Sequence, residues 1–181
     1  KGPLERILTQ LKTEIERGSI QLLIGDDTSG RVPTMVLRQV LAKLYEEKGM
    51  PPPATLFMNG PGGGRLQSEE EKRVRVERIK DFLSRCKKIG RFTLSPGNKV
   101  FLVTEVVKSG RSLVPVLEAC KELQIPCDVI TIGLERQKDL QTLEAELGTT
   151  LYHGMEGTPS IYRKGSFTGV AKEEADPYDM F

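Results

Sequence analysis

The 181 residues suit a single domain, because domains usually comprise about 100–200 residues. Lys and Arg number 27 against 25 Asp and Glu, so the net charge of +2 gives no overall signal for a nucleic-acid partner. No apolar run approaches the ~20 residues that a membrane-spanning helix needs, and we expect no membrane partner.

Three cysteines, Cys86, Cys120 and Cys127, stand far apart and form no Cys-x-x-Cys pair. Their odd number and wide spacing argue against a disulfide framework and against a zinc site. They are predicted to be buried, reduced thiols, which fits a cytoplasmic protein. The lone histidine, His153, lies in a Gly-rich turn, so neither a catalytic triad nor a multi-histidine metal site is expected.

The first part of the chain alternates helical and strand patterns. Pro3–Arg17 repeats apolar residues at helical spacing and predicts a helix, and the apolar run Ile20–Ile24 predicts a buried strand. The polar loop Gly25–Arg31 separates this strand from a second predicted helix, which begins at Pro33 and ends near Glu47.

Ala54–Met58 predicts a second strand, and Asn59–Arg65 follows it with three consecutive glycines. These glycines exclude regular structure, so the segment is either a loop that closes over an anionic ligand or a flexible connector. Ser68–Lys88 predicts a long helix, because Ser68 and Glu71 have the spacing of a capping box. The basic residues of this helix predict a solvated, self-paired face, with a binding face for a polyanion or partner as the alternative.

The second part of the chain continues the alternation. It predicts an edge strand over Phe92–Leu94, a buried strand over Val100–Val103, a helix over Leu113–Leu123, a strand over Cys127–Ile132 and a helix over Gln137–Leu147. Helices between apolar strands indicate right-handed crossovers. The predicted fold is therefore α/β, with a doubly wound, mainly parallel sheet and helices on both of its faces.

The segment Lys99–Ser112 combines a strand, a short polar loop and the start of a helix. Backbone N–H groups and the helix dipole favour an anion at such a helix start. Ser109 and Ser112 add hydroxyl donors, and Lys108 and Arg111 add positive charge. The segment therefore predicts a phosphate-binding loop.

The loop Gly25–Arg31 also follows a strand and precedes a helix. Because ligands of doubly wound sheets bind at the carboxyl ends of the strands, both loops are expected to open into one crevice. Gly25 and Gly30 permit a close approach of the backbone to a ligand, and Arg31 can bind phosphate in a bidentate manner.

Asp26 and Asp27 in this loop leave three interpretations open. The two carboxylates could hold Mg²⁺ through water, form an Asx-turn and helix N-cap without a ligand, or make a family-specific contact to a ligand.

The segment Val100–Ser112 resembles the phosphoribosyl-diphosphate-binding motif of the type I phosphoribosyltransferases. That motif has four apolar residues, two acids, two apolar residues and a Thr/Ser-Gly-x-Thr/Ser loop. Val100–Val103 match the apolar run, Glu105 the second acid and Ser109–Ser112 the loop, whereas Thr104 stands where the first acid is expected. In the family the loop holds the 5′-phosphate and the acids hold the ribose hydroxyls.

The resemblance implies a ligand, phosphoribosyl diphosphate or a nucleoside monophosphate, with Mg²⁺ as cofactor, and it is compatible with a homodimer. Glu105 is the implied catalytic carboxylate, holding the ribose hydroxyls. The implied 5′-phosphate loop comprises Thr104, Lys108, Ser109, Gly110, Arg111 and Ser112. The implied pyrophosphate loop comprises Asp26, Asp27, Thr28, Ser29, Gly30 and Arg31.

Two functions follow from the resemblance. One is transfer of phosphoribosyl to or from a nitrogenous base. The other is a binding module of the same fold that senses a nucleotide or phosphoribosyl diphosphate, or serves an assembly, which Thr104 favours by removing one acid. A response-regulator-like domain is a third alternative. It is weaker because the strand after the first crossover ends in Met58-Asn59 and has no phosphoacceptor Asp.

The end of the chain has short strand-like pieces separated by glycines, at Thr149–His153, Ser160–Arg163 and Phe167–Val170. The resemblance implies a small irregular hood over the site, built from such pieces. We therefore expect a single domain over 1–181, with an α/β core over 1–148 and a hood or tail over 149–181. Tyr152, Tyr162 and Phe167 are either stacking groups for a base or packing groups.

Overall fold

The computed structural model describes residues 2–26, 29–58, 68–135 and 139–157. Within these ranges the chain forms five strands and six helices. In chain order they are α1 (Pro3–Gln10), α2 (Lys12–Arg17), β1 (Ile20–Asp26), α3 (Arg31–Glu46), β2 (Ala54–Met58), α4 (Glu69–Lys88), β3 (Lys99–Val107), α5 (Val114–Glu122), β4 (Cys127–Leu134), α6 (Leu140–Leu147) and β5 (Leu151–Glu156).

The strands form one sheet in the order β2-β1-β3-β4-β5, and every neighbouring pair is parallel. The chain runs from β1 outward to β2, then returns across β1 to build β3, β4 and β5 on the other side. The carboxyl ends of β1 and β3 therefore flank the topological switch point. The predicted doubly wound α/β fold is confirmed.

The sheet is buried on both faces, because alternate strand residues point to opposite sides. In β3, Phe101 and Val103 pack with α1, α2 and α3, whereas Val100 and Leu102 pack with α4, α5 and α6. The apolar runs predicted as buried strands thus supply both halves of the core. None of the described helices combines the length and apolar character that crossing a membrane requires.

The first helix differs from its prediction as a single helix. The helical geometry is interrupted at Leu11, whose ψ of 3° lies outside the helical range and separates α1 from α2. Backbone bonds from Leu11 to Ile7 and from Ile15 to Leu11 continue through the break, and all three side chains stay buried. The predicted apolar stripe therefore survives.

Two other predictions need correction. Phe92–Leu94 belongs to no strand; its apolar character reflects the burial of Phe92 in the core beside α4. Leu151–Glu156, which overlaps the start of the predicted hood, is instead the edge strand β5, paired with β4. The remaining hood predictions, including Tyr162 and Phe167, lie outside the described residues, as does the Gly-rich segment 59–67.

The side chain of Gln10 in α1 bonds to the backbone of β5. Its Nε2 donates to the carbonyl of His153 at 2.7 Å, and its Oε1 accepts from the His153 N–H at 3.3 Å. One amide group thus contacts both backbone groups of a residue in the edge strand.

The amino ends of the strands carry an ion-pair network. Lys99 Nζ lies 2.9 Å from Asp128 Oδ2 and 3.2 Å from Glu14 Oε1, and Ser19 Oγ donates to the other Glu14 oxygen. Burial would raise the pKa of Glu14, but the hydrogen bonds from Ser19 and Lys99 outweigh it and lower that pKa. Burial would likewise lower the pKa of Lys99, and its two carboxylate partners raise it.

The three cysteines are free, with Cys86 and Cys120 buried and Cys127 half-buried. A hydrogen bond with Cys120, together with burial, raises the pKa of the Cys127 thiol. They are therefore thiols packed in the core, as predicted.

Candidate ligand site at the carboxyl ends of the strands

The first polar loop contacts strand β3 at the switch point. Ser29, in the loop after β1, and Thr104, near the carboxyl end of β3, place their hydroxyl oxygens 3.1 Å apart. Thr104 is buried, so this contact is made inside the fold. The loop after β1 is therefore held against β3, the strand that leads into the second loop.

Gly30 holds the first loop against the end of the sheet. A Cβ at this position would lie 2.1 Å from the carbonyl oxygen of Val103 and 2.7 Å from the nitrogen of Asp26. The Gly30 N–H also donates to the carbonyl of Asp26 at 2.6 Å. Only a residue without a side chain fits there, and α3 begins at the next residue, Arg31.

The second loop turns at Gly110, whose φ of +70° favours glycine. Ser109, Arg111 and Ser112 around it are exposed, whereas Gly110 itself is covered by Leu147 of α6. The hydroxyls and the Arg111 guanidinium are therefore accessible at the start of α5.

Lys108 differs from the other residues of this loop. Its Nζ forms an ion pair with Glu135 at the end of β4, at a distance of 2.7 Å. Its charge is therefore directed toward a carboxylate, and it supplies less net positive charge to the loop than the sequence suggests.

Helix starts at this edge of the sheet fall into two kinds. Ser68 caps α4 in the predicted capping box, and Asp139 caps α6. In the described part of the chain, α3 and α5 have no hydrogen bond from a capping side chain. These two follow β1 and β3, so the uncapped helix starts, with their N–H groups and positive dipole ends, both lie beside the switch point.

The two described acids of the predicted site, Asp26 and Glu105, lie in the neighbouring strands β1 and β3. Asp26 ends β1, and its Oδ2 accepts a hydrogen bond from Ser29 Oγ at 2.9 Å. This bond fits the turn-forming interpretation of Asp26, but the N-cap position of α3 is taken by Gly30, so the expected N-cap role of Asp26 is wrong. Glu105 in β3 is half-buried. Asp27 and Thr28 lie outside the described residues.

Arg75 in α4 is a site residue that the sequence analysis missed. It is half-buried, and its guanidinium interacts electrostatically with Asp26. Burial lowers the pKa of Arg75, and the charge of Asp26 partly opposes this shift. Its spacing from Ile79 and Phe82 is helical, so Arg75 shares a face with them; this is the signal that could have identified it.

The metal ligands available at this edge are few. In the described ranges, no three His, Cys, Asp or Glu side chains come together as a metal cluster. Asp26 and Glu105 supply carboxylate oxygens, which are suitable for Mg²⁺. This donor set fits an ion that is held mainly by the phosphates of a ligand, since Mg²⁺ in proteins often uses only one or two carboxylates.

Comparisons with protein-family models and with curated proteins gave no match. Solved structures with a similar fold include an orotate phosphoribosyltransferase from Aeropyrum pernix, at 15% identity over 85% of this chain and 69% of that chain, with a TM-score of 0.48. A purine phosphoribosyltransferase from Pyrococcus horikoshii gives 13% identity over 86% and 82%, with a TM-score of 0.47. An APRTase from Giardia lamblia complexed with 9-deazaadenine gives 12% over 86% and 80%, with a TM-score of 0.48.

The three solved structures named here are all phosphoribosyltransferases. The likeness, at 12–15% identity, concerns the fold and carries no substrate over to this chain.

Proposed function

We propose that the crevice binds phosphoribosyl diphosphate or a nucleoside monophosphate and transfers phosphoribosyl to or from a nitrogenous base. One comparison of helix starts supports this proposal. Among α3 to α6, in the described part of the chain, α4 and α6 begin with a capping side chain, and α3 and α5, the two helices beside the switch point, do not. Two anion-binding groups one strand apart suit a ligand that carries phosphate at both ends.

The second loop is proposed to hold the 5′-phosphate. The N–H groups and hydroxyls of Ser109 and Ser112, with the N–H of Gly110, would donate to it, and Arg111 would add positive charge. Glu105 would accept hydrogen bonds from the ribose hydroxyls. Thr104 and Lys108 would support this loop indirectly, because Thr104 contacts Ser29 and Lys108 pairs with Glu135.

The first loop is proposed to hold the pyrophosphate. Gly30 brings the backbone to the end of β3, and Arg31 starts the uncapped helix α3. Ser29 would position the loop through its bonds to Asp26 and Thr104. Asp26 is one of two carboxylates that fit Mg²⁺, and Asp27 and Thr28 are expected to complete the loop.

In the proposed reaction, the bond from C1′ to the pyrophosphate oxygen breaks and the pyrophosphate leaves with the electron pair. A base nitrogen bonds to C1′ and its proton is released to the pyrophosphate or to solvent. Bound Mg²⁺ would neutralise the phosphate charge. The protein residues would mainly orient the ligand and stabilise charge as it develops, by the N–H groups of both loops and by Glu105 beneath the ribose.

Thr104 supports a second candidate function, a binding module without turnover. Where the family motif has its first acid, this chain has a buried hydroxyl that is already bonded to Ser29. One carboxylate fewer weakens the hold on the ribose and on a ligand-bound cation. Such a module would bind the same ligands and release no pyrophosphate.

Isothermal titration with phosphoribosyl diphosphate and with nucleoside monophosphates, each with and without Mg²⁺, tests the proposal. We expect binding, and base-dependent release of pyrophosphate distinguishes the enzyme from the binding module. Absence of heat with all of these ligands would contradict both functions.

A matched pair of variants tests the position of the 5′-phosphate. Ser109→Asp places a negative charge in the proposed loop, and we expect loss of phosphate binding in a folded protein. Ser95→Asp makes the same change at an exposed turn between α4 and β3, and we expect unchanged binding. Equal binding by both variants would contradict the assignment of the loop.

A further inference from the structure

The phenylalanine near the end of β2 stands apart from the core. Leu56 and Met58 pack on the face of the sheet that carries α4, so the alternation of strand side chains directs Phe57 to the face that carries α3. Phe57 is half-buried, and among the described residues it belongs to neither half of the core. Core packing therefore does not explain an aromatic ring at this position.

The ring lies over Gly25 of the neighbouring strand. Gly25 and Phe57 are partners in the parallel pairing of β1 with β2. A Cβ at Gly25 would lie 2.8 Å from two carbons of the Phe57 ring and 2.6 Å from Thr34 Oγ1 in α3. These distances are shorter than van der Waals contact, so the glycine provides the space in which the ring lies beside the start of α3.

Arg31, the first residue of α3, lies against this ring. Its guanidinium carbon is 5.4 Å from the ring centre, within the distance at which cations are attracted to aromatic faces. The side chain of an exposed arginine otherwise samples many rotamers, and ordering it when a ligand binds costs affinity. The ring reduces this cost because it holds the guanidinium in place before a ligand arrives.

The position of β2 decides which part of a ligand this guanidinium serves. β2 lies on one side of β1, and β3, which leads into the loop Ser109–Ser112, lies on the other. Phe57 therefore holds Arg31 on the side of β1 that is remote from the proposed 5′-phosphate loop. A guanidinium there suits the other end of the ligand, the pyrophosphate, to which it can donate paired N–H groups.

We propose that Phe57 is a positioning residue for Arg31, and that its ring holds the guanidinium in the orientation that binds the pyrophosphate of phosphoribosyl diphosphate. The inference rests on the proposed function and adds to it a residue outside both loops. Phe57 carries no group that binds phosphate, so it acts through Arg31. Its contribution is therefore confined to ligands that carry pyrophosphate, and it vanishes when Arg31 is replaced.

Phosphoribosyl diphosphate and ribose 5-phosphate are suitable probes, because they differ only in the pyrophosphate. In isothermal titration with Mg²⁺, Phe57→Leu is expected to bind phosphoribosyl diphosphate about threefold to fivefold more weakly and ribose 5-phosphate as tightly as the wild type does. Phe57→Tyr keeps an aromatic face and should retain both affinities within about twofold. Equal weakening for the two probes in Phe57→Leu would overturn the proposal, because a general distortion of the site would then explain it.

Phe82→Leu is the matched control for Phe57→Leu. Phe82 is also half-buried, but it lies in α4 and packs on the opposite face of the sheet. Both variants should unfold cooperatively in urea, and Phe82→Leu should keep both affinities within about twofold. An equal loss of phosphoribosyl diphosphate affinity in the two variants would overturn the proposal.

A double-mutant cycle tests whether Phe57 acts through Arg31. Arg31→Gln is expected to weaken phosphoribosyl diphosphate binding about tenfold, and the addition of Phe57→Leu should cause no further loss. A further loss of about threefold would overturn the proposal, since the ring would then act without the guanidinium. Wild-type protein that binds neither probe would contradict the proposed function and this role with it. Wild-type binding that Phe57→Leu leaves unchanged would contradict the role of Phe57 alone.

Discussion

The two ends of the parallel sheet are built from similar residue types and differ in how those residues are paired. At the amino ends, Lys99 joins Glu14 and Asp128, and each charge has a partner within the fold. At the carboxyl ends, Lys108 pairs with Glu135, but α3 and α5 begin without capping side chains, and Arg75 takes part in no ion pair among the described residues. Internal pairing at one end favours stability, and open donors at the other favour a ligand.

The largest effect is expected at the amino end. Lys99→Met keeps the length of the side chain and leaves Glu14 and Asp128 without their cation, both in a mostly buried position. We expect the free energy of unfolding to fall by about 3–4 kcal/mol, measured by urea unfolding, because uncompensated buried charge is destabilising.

Lys43→Met on the exposed side of α3 is the control for this variant, with an expected change within about 0.5 kcal/mol. Ligand binding by folded Lys99→Met should equal that of the wild type. A selective loss of binding there would show that the two ends are coupled.

The second effect combines stability and binding. In Gly30→Ala, the new methyl group collides with the backbone at Val103 and Asp26, so the loop must move. We expect a loss of about 2–3 kcal/mol in the free energy of unfolding and a loss of phosphoribosyl diphosphate binding in titration. Wild-type affinity in this variant would contradict the proposed pyrophosphate loop.

The third effect is a pH dependence at the amino end. Because the folded-state pKa of Glu14 is lowered from 4.5, its contribution to stability is present above that value and is lost as the pH falls through the folded-state pKa. We expect about 1 kcal/mol of the acid destabilisation to come from this residue. Urea unfolding from pH 6 to pH 3 should show a correspondingly weaker pH dependence in Glu14→Gln.

The smallest effect on stability is expected at Arg75. Arg75→Gln removes a half-buried cation that forms no ion pair in the described chain, so the free energy of unfolding should change by less than about 1 kcal/mol. A loss of more than about 2 kcal/mol in urea unfolding would instead make Arg75 part of the structural network, like Lys99.

The order of strands and helices could be predicted from the sequence because fully buried strands are short apolar runs. β5 was not assigned to the sheet, since Leu151–Glu156 lies at the edge and mixes buried with half-buried positions. Phe92–Leu94 was misassigned because an apolar residue that packs under a loop resembles one in a short strand. Local patterns do not distinguish these cases.

The site could be predicted where topology alone determines it. Loops after neighbouring parallel strands leave the same edge of the sheet, so the pattern predicts a crevice between Gly25–Arg31 and Thr104–Ser112. The contact of Ser29 with Thr104 joins residues 75 positions apart and depends on how Gly30 seats the loop. The orientation of Arg75 depends on the rotation of α4 against β2, which the charge pattern of the helix does not fix.

The amide of Gln10 has a consequence for the boundary of the sheet. Its donor and acceptor occupy the N–H and C=O of His153, the groups through which a further strand would join an edge. At this residue, one side chain from the first helix therefore forms the hydrogen bonds that a neighbouring strand would form. At His153 the fold thus opposes strand addition to β5, because an open edge would favour self-association.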